Sequence, residues 1–372
     1  MATPYLESAS PDVKRYQRDK LLASVANLIL TLAALSVLAL WGGPALRETV
    51  YQAAPDRWLR LIVVGALCAV VLEVLTLPIS FWSGFILEHR HGLSRQTLSA
   101  WLWKQIKGWL IGAPLGLALL FGLYSLLWYF PDTWWIWATL GWLALTLLLG
   151  QLLPVLILPL FYKVTPLDNA SLLERLRKLA EGTGLFFKGI YRLHLSAETR
   201  KANAALAGLG RTRRVLLGDT LLDDFTPEEI EVVFAHEVGH HVYRHLPKLI
   251  AWSVVTSAAG FYLVNQVLHR SAASLGYGAF NEPTALPLLL LALTVFGLIL
   301  GPLQNAISRF FERQCDAYAL RRTRNAEAYC SAFIKLAQLN KADPDPNPWV
   351  VWLHYDHPPI RQRLALAEQV LG

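Results

Sequence analysis

The sequence predicts a mainly α, polytopic membrane protein with about six transmembrane helices and a small antiparallel β-sheet in its polar part. Three observations carry this. Of the 372 residues, 54% are hydrophobic and only 16% charged, against about 25% charged in a soluble chain. The apolar residues gather into six runs, each near the roughly 20 residues that cross a hydrocarbon core as a helix. Two long polar segments remain, and they mix helical spacing with short β-like stretches. The 14 Trp suit the aromatic belts of bilayer interfaces.

Residues 21–41 form the first run and carry no charge. The polar, acid-containing stretch before it lacks the form of a cleavable signal peptide, so this run is expected to be retained. Residues 61–80 follow, interrupted only by Glu73. An ionisable group at membrane depth is a functional candidate by default; a water-filled cavity between the helices, or a partner such as Gln151 or Asn265, would make it tolerable, and sequence assigns none. Residues 88–107 read as an amphipathic loop in which His89 and His91 are expected to be solvated, not metal-binding. The third run is 109–130. Pro131 and Asp132 turn the chain into 134–161, which is long enough to tilt or protrude. Residues 249–267 and 286–303 complete the set. Cys68, Cys315 and Cys330 show no spacing pattern that implies a disulfide framework.

Lys and Arg set the orientation. With the N-terminus inside, the inner loops hold Lys14, Arg15, Arg18, Lys20, Arg90, Arg95, Lys104, Lys107 and both polar segments. The outer loops hold Arg47, Arg57, Arg60 and Arg270. Both polar segments are therefore expected on the cytoplasmic side. The same bias accounts for the net charge of +7 without a nucleic-acid partner. Four parts follow: 1–162 with four transmembrane helices, 163–248 as a catalytic segment, 249–307 with two more helices, and 308–372 as a second catalytic segment.

Within the first polar segment, residues 169–182 have helical spacing through Leu172, Leu173, Leu176 and Leu179. Residues 190–195, 204–208 and 214–217 read as short strands broken by glycine and polar residues, and they supply the antiparallel sheet. In the second, 326–339 is a helix stopped by the Asp-Pro-Asp-Pro-Asn-Pro run at 343–348. A last helix, 361–371, closes the chain.

The chemistry sits in residues 230–247, IEVVFAHEVGHHVYRHLP. His236, Glu237 and His240 stand in the order H-E-x-x-H, so that on a helix both imidazoles reach one ion. Glu237 beside them can take a proton from a metal-activated water. Thr226 can N-cap this helix, Pro227 suits its first turn and Glu229 completes a capping box. The competing reading is a His-rich solvated helix. His241 and His245 are also four apart, but no Glu follows His241, so that pair lacks a base. A catalytic zinc wants a third protein ligand and an open position. Glu312, just past the sixth run, fits, and Asp316 four residues later can accept a hydrogen bond from a ligand imidazole. Alternatively these carboxylates balance Arg309, Arg313 and Arg321.

H-E-x-x-H, then S-R-x-x-E-x-x-x-D at 308–316, then H-P-P-x-x-x-R-L at 357–364 resembles the type I CAAX prenyl proteases, membrane-embedded zinc metallopeptidases. Residues 88–98 (EHRHGLSRQTL), 164–167 (VTPL) and 215–222 (VLLGDTLL) agree, and the likeness runs from Lys14 onward. It implies a gluzincin-like catalytic part with one Zn²⁺ per chain held by His236, His240 and Glu312. Glu237 would be the base and Asp316 a support behind the ligands. It further implies that Asn203 lies on a strand edge that pairs with extended substrate, and that His357 and Arg363 steady the oxyanion. Eukaryotic members carry one more N-terminal span, and Ala205 stands where the family often has an aromatic. The resemblance implies a peptide or protein substrate, a prenylated C-terminal tail losing three residues, with its lipid entering from the bilayer. Zinc proteolysis of membrane proteins without prenyl specificity, intramembrane cleavage, and zinc transport or sensing are the other readings weighed.

Overall fold

A computed structural model describes residues 10–371. The part of the polar N-terminal stretch in residues 1–9 lies outside the described residues. Among the described residues, six helices are long and apolar enough to cross a membrane. They are α1 (Pro11–Ala53), α2 (Arg57–Arg90), α3 (Leu98–Tyr129), α4 (Trp134–Phe161), α8 (His245–Ser271) and α9 (Leu286–Thr323). Each of the first three starts on a side-chain oxygen: Ser10, Asp56 and Thr97 accept the backbone N–H groups that a first turn leaves open. Large apolar side chains point outward along them, with Ile299 75% and Leu110 64% exposed. Only lipid can cover such faces, so the chain is an integral multi-pass membrane protein.

The first polar segment holds β1 (Val164–Pro166), α5 (Ala170–Ala180), β2 (Ile190–Leu193), β3 (Ala204–Ala207), β4 (Arg214–Gly218), α6 (Asp219–Asp224) and α7 (Pro227–Val242). After α9 come α10 (Ala326–Leu339), α11 (Pro348–His354) and α12 (Ile360–Leu371). The two polar segments share one apolar core, in which Phe234 of α7 and Leu320 of α9 are buried with Tyr329 and Phe333 of α10 and Leu364 of α12. A second core, with Leu61, Tyr124, Trp134 and Leu268, lies among the membrane helices.

The sheet corrects one expectation. It is mixed, not antiparallel: its order is β1-β2-β4-β3, and β2 pairs with β4 in parallel. Residues 194–203 carry the chain past one strand position, and β4 returns by a hairpin from β3 to fill it. β1, short and ending in a proline, is a fourth strand that its composition does not announce. The crossover is held by Asp219. Its carboxylate accepts the N–H groups of Leu195 (2.8 Å) and Ser196 (2.9 Å) and the Ser196 hydroxyl (2.6 Å). Burial opposes the charge, but these donors outweigh it and hold the Asp219 pKa below its ordinary value. Asp219→Ala would leave those N–H groups unpaired and is expected to cost on the order of 2–3 kcal/mol. A fall in the detergent-solubilised unfolding temperature checks this; an unchanged melt contradicts it.

Two further expectations change, and Glu73 acquires a partner. The connection between α2 and α3 is only residues 91–97, because α2 runs on to Arg90 and Thr97 starts α3 early. His91 is not solvated. It is buried with Nδ1 2.8 Å from Asp12, and its ring meets Tyr16 edge-on at 5.2 Å, because α1 packs over this turn. Glu73 is partnered by neither Gln151 nor Asn265: it accepts the Trp109 indole N–H at 3.2 Å, while Asn265 takes that of Trp134.

Candidate metal centre

Local sequence builds α7 as expected. Thr226 Oγ1 accepts the Glu229 N–H, and Glu229 Oε2 accepts the Thr226 N–H. Glu229 also takes Lys335 and Ser331 of α10, so the cap doubles as a tie to the C-terminal segment. The helix lies against α9 with Gly239 at the contact. A Cβ there would stand 3.0 Å from the Cys315 Cα and 3.3 Å from its Sγ. Gly239→Ala therefore pushes the two helices apart, and overpacking of this kind costs about 1–3 kcal/mol. We expect a lowered unfolding temperature and weaker metal retention, read by thermal melting and elemental analysis; an unaltered metal content would contradict the close-approach role.

That approach brings His236 and His240 to Glu312. His236 Nε2 is 3.1 Å from Glu312 Oε2, and His240 Nε2 is 3.2 Å from Oε1. Behind them, Asp316 Oδ1 lies 2.9 Å from His236 Nδ1, as its place four residues after Glu312 suggests. A neutral His236, its one proton directed to Asp316, would present a bare Nε2 beside a carboxylate oxygen. Glu312 Oε2 is itself buried without a hydrogen bond. Converging lone pairs need a cation. Ligand atoms at tetrahedral zinc, with bonds of about 2.0–2.1 Å, stand about 3.3 Å apart, so the donor set fits one metal ion. Burial alone disfavours a charged His236, but Asp316 and Glu312 outweigh it and raise its pKa to about 9. A bound cation would take the place of that proton.

Cys315 is also close, its Sγ lying within 4.8 Å of a nitrogen of each histidine. It faces His245 Nδ1 at 3.5 Å. The two Nε2 lone pairs converge on Glu312, so the carboxylate is the better third donor. His241 takes no part in this convergence, since its Nδ1 lies 2.6 Å from Arg213.

The edge of the sheet meets the same point. β3 is the outer strand beside β4. Asn203 O accepts the Gly218 N–H, so by antiparallel alternation Ala204 and Leu206 turn their backbone groups away from the sheet. The Leu206 N–H reaches Glu237 Oε2 at 3.2 Å. A cavity of about 360 Å³ opens here, lined by Asn203, Val233, Glu237, Phe333, His357 and Arg363 among others. Asn203 is exposed at the start of this edge.

His357 lies on the rim, its Nε2 3.3 Å from Glu312 Oε2 and its Nδ1 2.8 Å from Asp356. The Asp356 carboxylate favours the imidazolium and raises the His357 pKa. Arg363 is buried and forked onto Asp316, with Nε to Oδ2 at 2.9 Å and Nη2 to Oδ1 at 2.6 Å. Its guanidinium also covers the Phe333 ring.

Some functional neighbours carry no local signal. Glu88 of α2 is buried and accepts from Tyr16 (2.8 Å) and Lys20 (2.7 Å) of α1 and from Lys201 (2.8 Å), two residues before Asn203. Asn340 bonds both the N–H and the C=O of Ala202. Together these contacts hold the approach to β3. Only the 88–98 motif hinted at them.

Comparison with known proteins agrees with this geometry. Residues 7–163 match a family model described as CAAX prenyl protease N-terminal, five membrane helices. Residues 166–370 match Peptidase family M48. A CAAX prenyl protease 1 homolog of Arabidopsis thaliana is 30% identical over 311 residues, covering 78% of this chain and 69% of its own length. Uncharacterized metalloprotease YhfN of Bacillus subtilis (strain 168) is 29% identical, over 87% of this chain and 77% of its own. The crystal structure of S. mikatae Ste24p shares the fold, with a TM-score of 0.78 at 22% identity, covering 99% of this chain and 100% of that one.

Proposed function

The chain belongs to peptidase family M48 and is a membrane metalloprotease acting on peptide or protein substrates; we propose that its metal is a single zinc held by His236, His240 and Glu312. We further propose that it removes the last three residues of prenylated C-terminal tails on the cytoplasmic side. The two polar segments, 163–248 and 308–372, would act as one catalytic unit beside the membrane regions 1–162 and 249–307. Both are tied to the basic start of α1, where Lys201 meets the Tyr16 hydroxyl and Gln17 meets the Lys341 carbonyl. That is the end the positive-inside bias assigns to the cytoplasm.

The observation that carries the reading is the Leu206 N–H on Glu237, because it joins a free strand edge to the base of the H-E-x-x-H helix. An extended peptide laid along β3 takes backbone hydrogen bonds from Ala204 and Leu206 without regard to its side chains. Asn203 would bond it at the start of that edge. Bound zinc supplies Lewis acidity toward the scissile carbonyl and the attacking water. Glu237 takes the proton of that water and passes it to the leaving amine. His357, held as a donor by Asp356, aims Nε2 where negative charge develops on the carbonyl oxygen. Arg363 holds Asp316, which in turn orients His236, and its cavity-facing edge adds positive charge beside the oxyanion.

Support for a prenylated substrate comes from the N-terminal family model and from relatives named CAAX prenyl protease 1. The test compares kcat/KM for one farnesylated, fluorescence-quenched peptide and its unfarnesylated twin in a bilayer mimic. Preference for the lipidated peptide is expected. Equal cleavage of both would leave a zinc protease of membrane proteins without prenyl specificity.

A further inference from the structure

His245, which the H-E-x-x-H pattern does not use, lies against one of its ligands. Arg244 adopts the left-handed conformation (φ 55°), so the chain reverses between α7 and α8. That turn returns His245 to the side of His240, five residues earlier. Its Nδ1 is 3.1 Å from His240 Nδ1 and its Nε2 is 2.9 Å from Gln314 Oε1. The ring is only 1% exposed. It stacks on Phe311 at 4.2 Å and 11°, with Tyr243 near parallel at 5.7 Å and 21°. Both its position and its plane are therefore set by packing.

We propose that His245 is the positioning residue of His240, accepting its Nδ1 proton so that Nε2 is presented bare to the metal. This rests on the reading of His240 as a ligand. Two neutral imidazoles that meet Nδ1 to Nδ1 share one hydrogen, and whichever ring donates it keeps a lone pair on its own Nε2. Gln314 Oε1 can only accept, so His245 carries its proton on Nε2. Its Nδ1 is then the acceptor, and His240 must be the donor. The opposite direction would put a hydrogen on His240 Nε2, where the cation belongs. The two ligand histidines are thus held by different acceptors. Asp316 holds His236 with a charge, whereas His245 holds His240 without one. A second carboxylate would add negative charge to a site already containing Glu237, Glu312 and Asp316.

The test uses the full-length protein in detergent with His245→Phe, which keeps an aromatic ring between Tyr243 and Phe311 and removes the acceptor. Gln314→Met, which removes only the group that fixes the direction, is the second variant, at a half-buried position that tolerates the change if the first misfolds. Zinc affinity is read by competition with a chelator, and ligand geometry by the d–d absorption of the Co²⁺-substituted protein. We expect His245→Phe to weaken zinc about 10–100-fold, as loss of a ligand's hydrogen-bond partner does. Gln314→Met should weaken it less, with both cobalt spectra shifted and melting retained. Zinc affinities within about twofold of the unaltered chain in both variants, with unchanged cobalt spectra, overturn the inference alone. An unaltered chain that binds no zinc overturns the metal reading, and this role with it.

Discussion

Glu237→Gln is expected to lower kcat/KM by about 10²–10⁴-fold or more while one zinc per chain is retained. The amide has nearly the volume of the carboxylate, and its oxygen can still accept the Leu206 N–H that Glu237 Oε2 takes at 3.2 Å. His236, His240 and Glu312 do not depend on Glu237 for their contacts with one another. Only proton transfer is removed. Steady-state hydrolysis of the farnesylated peptide and elemental analysis of the same preparation check this together. Hydrolysis within about tenfold of the unaltered enzyme would refute Glu237 as the base. A zinc transporter or sensor built on the same helix would be almost indifferent to the change.

The second large effect is expected at Arg363. Its guanidinium and the Asp316 carboxylate are both buried and joined by two hydrogen bonds. Arg363→Met leaves the Asp316 carboxylate in the core with only His236 beside it, and breaking a buried pair from one side costs about 3–5 kcal/mol. The double variant Arg363→Met with Asp316→Leu removes both charges, and apolar replacement of a whole buried pair is often neutral or better. We therefore expect the single variant to melt well below the parent and the double variant to recover most of that loss. Zinc affinity should stay low in the double variant, because His236 Nδ1 has lost its acceptor. If both variants melt alike, the pair does not stabilise the core as described. If the double variant binds zinc normally, Asp316 does not orient His236.

Much of this centre was legible from local pattern. The capping box at Thr226 and Glu229, the four-residue spacing of His236 and His240, and that of Glu312 and Asp316 all concern neighbours on one helix. There the 3.6-residue turn fixes which side chains share a face. The six runs were legible for a similar reason, since a bilayer demands uninterrupted apolar length. What escaped depends on contacts far apart in sequence. The parallel pairing of β2 with β4 follows from where residues 194–203 send the chain, and alternation of side chains does not encode it. His91 looked like a loop histidine because nothing near it in sequence reveals Asp12 or Tyr16. His245 could be counted with His241 as a spare pair, yet its partner is His240, reached through a left-handed turn at Arg244 that no residue preference announces. Glu88 and Lys201 lie 113 positions apart, and only the fold brings them together beneath β3.

Anomalous scattering from crystals measured on either side of the zinc edge would locate a zinc bounded by His236, His240 and Glu312. A single anomalous peak per chain is expected, within bonding distance of both Nε2 atoms and the Glu312 carboxylate. A peak displaced to Cys315 and His245, or no peak in crystals of an active preparation, would contradict it.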